Sequence, residues 1–157
     1  MIVETEAYEP TDPASHSFGG QKTRNATMFG PPGRLYVYRS YGIHWCANVV
    51  CGEKGVGAAV LLRALEPTAG LDVMRARRGR DDVRLLATGP GRLTEALDIS
   101  GAHDGLDVLA SPFTMRPPER AVDVVASPRV GITRATDRLW RYSLVGSSFV
   151  SRPRPRL

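Results

Sequence analysis

Residues 34–50, RLYVYRSYGIHWCANVV, place apolar and aromatic side chains on both sides of a Tyr41-Gly42 pair. Two such runs on either side of a glycine-containing turn predict a β-hairpin, here with strands at 34–38 and 43–50. Hairpin strands pair antiparallel, so this stretch favours a mainly antiparallel sheet. Tyr41 falls in the turn, where a side chain has no core to pack into, and we expect it to be exposed.

Two further segments extend the predicted sheet. Residues 2–8, IVETEAY, alternate in polarity and predict a strand with Glu4 and Glu6 on one face. Residues 57–65, GAAVLLRAL, form a nearly continuous apolar run with a single charge, Arg63. Such a run is typical of a central, buried strand.

The remaining segments predict short elements around this sheet. Helices are expected over 68–78 and from Pro90 onward, the second with a buried stripe at Leu93, Ala96 and Leu97. Short strands are expected around 106–109, 121–126 and 141–150. The fold class is therefore mixed α/β (α+β), with a mainly antiparallel curved sheet, a protruding β-hairpin and a few flanking helices. We expect a single domain over residues 1–151, followed by a disordered Pro/Arg tail, 152–157.

The composition is that of an ordinary globular domain. At 157 residues, 42% hydrophobic and 24% charged, the chain can bury a core of its own. No apolar run is long enough to span a bilayer, and the N-terminus carries no secretory signal. These features argue against a membrane protein and favour a cytoplasmic one.

The net charge of +5 is unevenly distributed. Residues 1–60 are balanced, and the positive surplus lies in arginine-rich clusters at 75–80, 129–141 and 152–156. A surface of this kind suits a phosphate backbone. Basic clusters are also often no more than solvated faces, so charge alone leaves nucleic-acid binding open.

Metal binding has weak support. The candidate ligands His44, Cys46 and Cys51 lack the paired spacing usual in zinc sites, and the cysteines lie in an apolar segment where free thiols are commonly buried. We therefore predict no metal.

Glu6 and Arg63 are the first candidates for chemistry. A charged side chain on a half-buried strand is costly unless it is paired, and arginine is the best partner for a carboxylate. A Glu6–Arg63 pair would satisfy both groups and could hold a water molecule for general-base use. A purely structural ion pair between two strands explains the same residues.

Aromatic residues form a second constellation, consisting of Tyr8, His16, Tyr38 and Tyr41. Planar rings with polar tips can stack on a nucleobase and hydrogen-bond its edges. An exposed aromatic in a hairpin turn is typical of a side chain that wedges into a duplex. Ordinary strand packing is the simpler explanation for the neighbouring Tyr36.

Six motifs occur in order along the chain: Glu4-Thr5-Glu6-Ala7-Tyr8, His16-Ser17-x-Gly19-Gly20, Thr23-Arg24-Asn25-x-x-Met28-Phe29, Leu35-Tyr36-Val37-Tyr38-x-x-Tyr41-Gly42, Asn48, and Leu61-Leu62-Arg63-Ala64-Leu65-Glu66-Pro67. With them the chain resembles the alkyladenine (3-methyladenine) DNA glycosylases, bacterial type. Family members usually carry a helix and a strand before the segment that starts here at Ile2, and the resemblance implies that this chain lacks both.

The resemblance implies a role for each matching residue. Glu6 would activate water, with Arg63 and the backbone carbonyl of Val130 as further contacts. The walls of the base pocket would be Tyr8, His16, Tyr38 and Asn48, the last of which would crowd the exocyclic amine of guanine. Tyr41, together with Met28, would intercalate into DNA.

The resemblance further implies a monofunctional hydrolase without cofactor or metal. It would flip alkylated or deaminated purines from double-stranded DNA, approaching from the minor groove, and leave an abasic site. We expect a monomer associated with the nucleoid rather than with a membrane.

Two other functions fit parts of the pattern. A non-catalytic nucleic-acid binding module could use the same tyrosines and arginines without needing Glu6 or Arg63. A glycoside hydrolase could use Glu4 and Glu6, which share a strand face, as a carboxylate pair. The glycosylase interpretation predicts that Glu6→Gln abolishes base release but retains binding, and that Glu4→Gln does much less.

Overall fold

The computed structural model describes residues 1–155. Residues 156 and 157, the end of the predicted disordered tail, lie outside the described residues, and the disorder of the tail stays a prediction. Within the described range no helix combines the length and the apolar character that crossing a membrane requires.

Six strands form one antiparallel sheet: β1 (Ile2–Tyr8), β2 (Leu35–Ser40), β3 (His44–Cys51), β4 (Ala58–Leu65), β5 (Val124–Ser127) and β6 (Arg141–Leu144). Their order across the sheet is β2-β3-β4-β1-β6-β5. The sheet thus confirms the predicted α+β class, and β1 and β4 lie side by side at its centre.

The β2–β3 hairpin turns within three residues. The Ile43 N–H donates to the Ser40 carbonyl at 3.0 Å, and both central residues have positive φ, 51° at Tyr41 and 69° at Gly42. A turn of type I′ needs positive φ at both of these positions. Glycine adopts it freely, whereas a tyrosine there is uncommon.

The helices are α1 (Leu71–Arg78) and α2 (Pro90–Leu97), with 3₁₀ helices at Thr23–Phe29, Val83–Leu85 and Gly101–His103. Helix α2 begins at Pro90, as predicted, and packs on β3 and β4. Leu93 and Ala96 are buried in the main core, but Thr94 completes the buried stripe while Leu97 is half-buried.

The two faces of the sheet have different cores. One face packs against α2 through residues such as Leu35, Val37 and Leu62. The other carries a smaller cluster around Met28 and Tyr36, which the loop 9–33 covers. Alternation along the strands puts Glu6, Tyr38 and Arg63 on this second face, where the cavity described below opens.

Two predicted strands need correction. Residues 106–109 form a turn with a single bridge, because the Asp107 carboxylate accepts the Leu109 N–H and closes the backbone locally. The strand expected over 141–150 ends at Leu144, because the chain turns at Gly146, whose φ is 77°. The strand expected at 121–126 lies at Val124–Ser127.

Candidate active site

A cavity of about 810 Å³ opens on the second face of the sheet. It is lined by all nine site residues predicted from the sequence: Glu6, Tyr8, Met28, His16, Tyr38, Tyr41, Asn48, Arg63 and Val130. The strand register explains much of this convergence, because Asn48 on β3 and Glu6 on β1 are both paired with Leu61 of β4. The loops 9–33 and 128–140 contribute His16, Met28 and Val130, and the β2–β3 turn contributes Tyr41.

Glu6 lies at the floor of the cavity and is fully buried. Its Oε1 accepts the Val130 N–H at 2.8 Å and lies 3.2 Å from Arg63 Nη1. Its Oε2 accepts the Tyr8 hydroxyl at 2.9 Å. The predicted Glu6–Arg63 pair therefore exists. Val130 contacts Glu6 through its N–H, whereas the sequence analysis named its carbonyl.

Glu4, two residues earlier on β1, lies outside the cavity lining and has a different set of partners. Its Oε1 accepts from Arg63 Nε at 3.2 Å, from Arg141 Nε and from Ser151 Oγ at 3.0 Å. Its Oε2 accepts the Ser151 N–H at 2.6 Å. We call Glu4, Arg63, Arg141 and Ser151 the Glu4 cluster. A carboxylate enclosed in this way has no access to a substrate, which argues against the glycoside hydrolase pair.

Aromatic rings form one wall of the cavity. Tyr36 and Tyr38 stack with centroids 5.6 Å apart, and His16 meets Tyr38 edge-on at 4.4 Å. His16 Nδ1 also lies 2.9 Å from the Tyr36 hydroxyl. Tyr36 is buried and packs with Met28, as the sequence analysis expected, and it also contributes to the cavity lining. Burial, reinforced by the nearby Arg24, holds the pKa of His16 below its ordinary value, which favours a neutral ring at pH 7.

Tyr8 lines the same cavity and also contacts Glu6. Burial, then the charge of Glu6 and the hydrogen bond to it, raise the pKa of Tyr8 far above its ordinary range. Its hydroxyl is therefore protonated at neutral pH and can donate to Glu6.

The two predicted intercalating residues lie in opposite environments. Tyr41 is 90% exposed at the hairpin tip. Met28 is 3% exposed and packs with Tyr36, Val50 and Ala59. The side chain of Met28 is therefore held in the core, whereas that of Tyr41 is free in solvent, and the intercalating role of both residues stays a prediction. Asn48 is buried and donates through Nδ2 to the Tyr36 carbonyl at 3.1 Å.

An ion pair that the sequence analysis missed lies beside the cavity. Arg129 binds the Asp12 carboxylate with both terminal nitrogens, Nη2 at 2.9 Å from Oδ1. The two residues are far apart in sequence, and each lies in a segment without periodicity. No local pattern could have identified the pair.

A second groove of about 920 Å³ adjoins the cavity and shares Arg63 and Pro90 with it. Its other basic lining residues are Arg78, Arg84, Arg92, Arg152 and Arg154. Two carboxylates, Asp82 and Glu95, offset part of this charge. The groove is therefore positive overall. In residues 1–155 no group of three or more His, Cys, Asp or Glu side chains is arranged to hold a metal ion.

Comparison with known proteins identifies the family of the chain. The model of the family described as methylpurine-DNA glycosylase (MPG) matches residues 1–148. A relative from Rhodopseudomonas palustris (strain HaA2) is 60% identical over 153 residues, covering 98% of this chain and 76% of its own. One from Nitrosospira multiformis is 57% identical over 152 residues, covering 97% and 79%. Both are named "Putative 3-methyladenine DNA glycosylase". The chain belongs to the methylpurine-DNA glycosylase family.

Proposed function

We propose that this chain, a DNA glycosylase of base-excision repair, flips alkylated or deaminated purines out of duplex DNA and uses Glu6 to direct water onto the N-glycosidic bond. The observation that carries the assignment of Glu6 is its place at the floor of an aromatic-walled cavity, in contact with Arg63, Tyr8 and Val130. The names of its relatives make 3-methyladenine the first substrate to consider.

The hydrogen bonding of Glu6 supports a general-base role. A carboxylate offers about four acceptor positions. Two on Oε1 face Val130 and Arg63, and one on Oε2 receives Tyr8. The remaining position on Oε2 can accept a proton from water. As the water oxygen bonds to C1′ of the sugar, the C1′–N bond breaks, its electron pair leaves with the base, and Glu6 takes the proton.

The walls of the cavity suit a flipped purine. Tyr8, His16 and Tyr38 line it and offer ring faces, and base–aromatic stacking contributes about 1–3 kcal/mol per base. Asn48 lines the same cavity with its amide fixed by Tyr36, so its position can crowd the exocyclic amine of guanine and help to reject that base. Tyr41 would fill the space that the flipped base leaves, from the minor-groove side.

The basic groove supports a path for the DNA backbone. Arg92 and Arg152 are exposed in it, and the groove meets the cavity at Arg63. Positive side chains along a groove bind phosphates with little regard to sequence. A duplex whose lesion enters the cavity can then extend along this groove.

The chemistry proposed is hydrolysis alone. Among the described residues no lysine lines the cavity, so a Schiff base with the sugar has no evident nucleophile. The proposal needs neither cofactor nor metal, and it treats residues 1–151 as one monomeric glycosylase domain. Such an enzyme would work where the chromosome lies, in the cytoplasm and at the nucleoid.

Base release from a duplex oligonucleotide tests the function directly. The duplex carries one hypoxanthine or ethenoadenine, and abasic sites are detected as alkali-sensitive strand breaks. We expect release by the wild type, and a loss of about 10²–10⁴-fold in Glu6→Gln, the usual contribution of a general base. Glu6→Gln should still bind the lesion duplex.

Two results would contradict the proposal. Full activity in Glu6→Gln would remove Glu6 from the chemistry. A folded wild type that binds damaged and undamaged duplex equally, without base release, would favour a binding module.

A further inference from the structure

The Asp12–Arg129 ion pair is the most completely buried one at the site. Both side chains are inaccessible to solvent. The Arg129 hydrogen bonds hold the pKa of Asp12 below its ordinary value, although burial alone would raise it. The pair therefore stays ionised, and the two-pronged contact fixes the plane of the guanidinium.

From that fixed plane, Arg129 contacts β1 at the catalytic residues. Its Nη1 donates to the Ala7 carbonyl at 2.9 Å, between Glu6 and Tyr8 in sequence. Its Cζ lies 4.5 Å from the centroid of the Tyr8 ring. One guanidinium thus fixes both the backbone and the side chain on the C-terminal side of Glu6.

Arg129 also determines where the next residue lies. The Val130 N–H is the donor to Glu6 Oε1, and the Tyr8 hydroxyl is the donor to Glu6 Oε2. Arg129 therefore holds the donors to both oxygens of the Glu6 carboxylate. It holds Val130, the donor to Oε1, as its neighbour in the chain, and it holds Tyr8, the donor to Oε2, by stacking on the ring.

We infer, building on the proposed function, that Arg129 and Asp12 are positioning residues that orient the Glu6 carboxylate and the Tyr8 ring as one unit. The base that stacks on Tyr8 and the water that Glu6 activates are then held in a fixed relation. Lysine cannot replace Arg129, because a single ammonium cannot bind a carboxylate at two points, bond a carbonyl and stack on a ring together.

The matched control is Arg138. Its guanidinium lies 4.5 Å from the Trp140 ring centroid, which Arg129 also approaches, and 3.7 Å from a Glu9 oxygen. Arg138 is partly exposed and does not line the cavity. Arg138→Lys therefore changes an arginine of the same neighbourhood without touching Glu6 or Tyr8.

The experiment measures base release in a single turnover, with saturating enzyme in excess over a hypoxanthine duplex. Lesion affinity and thermal unfolding are measured on the same variants, so that rates refer to folded protein. We expect Arg129→Lys and Asp12→Asn to lower the saturating rate by about 10- to 100-fold, as small misplacements of catalytic groups do. Affinity should fall much less, and Arg138→Lys should match the wild type.

A purely structural pair would lower the melting temperature and leave the rate of the folded fraction unchanged. That result in Arg129→Lys would overturn the inference. If Arg129→Lys does not fold, Asp12→Asn decides by the same criterion. If neither variant folds, the ion pair is required for stability, and the inference is overturned as well. Failure of the proposed function has a different signature, since base release would then be absent in the wild type or persist in Glu6→Gln.

Discussion

Glu4 and Glu6 lie two residues apart on the same strand, are both buried, and both contact Arg63. Their surroundings differ. Glu4 is enclosed by Arg63, Arg141 and Ser151, whereas Glu6 faces the cavity with an acceptor position still available. The contacts of Glu4 are those of a structural anchor, and the contacts of Glu6 fit the catalytic role that we propose for it.

The difference shows how one arginine can serve both sides. Arg63 donates through Nε to Glu4, and its Nη2 donates to Ser151. These contacts leave Nη1 directed at Glu6, 3.2 Å away. An enclosed cluster can therefore hold a charged group rigid at the edge of a cavity that must admit a substrate. Such support is what a preorganised site needs.

The largest effect is expected when Glu4→Gln and Glu6→Gln are compared for their stability and their rate of base release. Breaking a buried ion pair from one side costs about 3–5 kcal/mol, and Arg141 would lose its carboxylate partner in Glu4→Gln. In Glu6→Gln, Arg63 keeps Glu4. Chemical denaturation should therefore show the greater loss of stability in Glu4→Gln, and base release per folded molecule the greater loss in Glu6→Gln.

The reverse order of stabilities would mean that the Glu4 cluster is not the anchor. Equal loss of base release in both variants, measured on folded protein, would mean that the strand has no division of roles. Either result would contradict the division between a structural Glu4 and a catalytic Glu6.

Tyr41→Ser tests the exposed hairpin tip beside the cavity of Glu6. Because Tyr41 is 90% exposed, its removal should leave thermal stability unchanged. We expect weaker binding and less flipping in duplex DNA, by about 10-fold if one stacking contact is lost, and a smaller loss on single strands. Binding of an ethenoadenine oligonucleotide, whose fluorescence reports stacking, measures both.

Ile43→Ser is the control for this experiment, since Ile43 is 66% exposed in the same turn. It should weaken binding less than Tyr41→Ser. Equal losses on duplex and single-stranded substrates would exclude the wedge role of Tyr41.

The sequence predicted the surroundings of Glu6 better than those of Glu4. Alternation in β1 and the apolar run of β4 are local signals, and the cost of burying Arg63 unpaired pointed to Glu6. The partners of Glu4 gave no such signal, because Arg141 and Ser151 lie 137 and 147 residues away. Asp12 and Arg129 gave no local signal for the same reason, because they are 117 positions apart in the sequence.

Two residues to which the motifs give the same role differ in the burial of their side chains. Met28 and Tyr41 occur in neighbouring motifs and were assigned one role, yet one is in the core and the other at the hairpin tip. Only the packing of the loop 9–33 over the sheet determines this difference. Short irregular stretches such as 106–109 were misassigned because one Asp side chain, and not periodicity, sets their backbone.

The smallest expected effect is a change with pH in the affinity for positively charged damaged bases, controlled by His16. Burial keeps its pKa below the ordinary value of 6.5, so the ring is neutral at pH 7–8 and gains a proton only as pH falls below that value. A cationic His16 would then repel a 7-methylpurine, which carries positive charge, but not neutral hypoxanthine. Affinity for the charged lesion alone should fall, by about 5-fold for 1 kcal/mol of repulsion in a solvated site. In His16→Gln the two lesions should show the same pH dependence, and a selective fall that survives this substitution would assign the effect to another group.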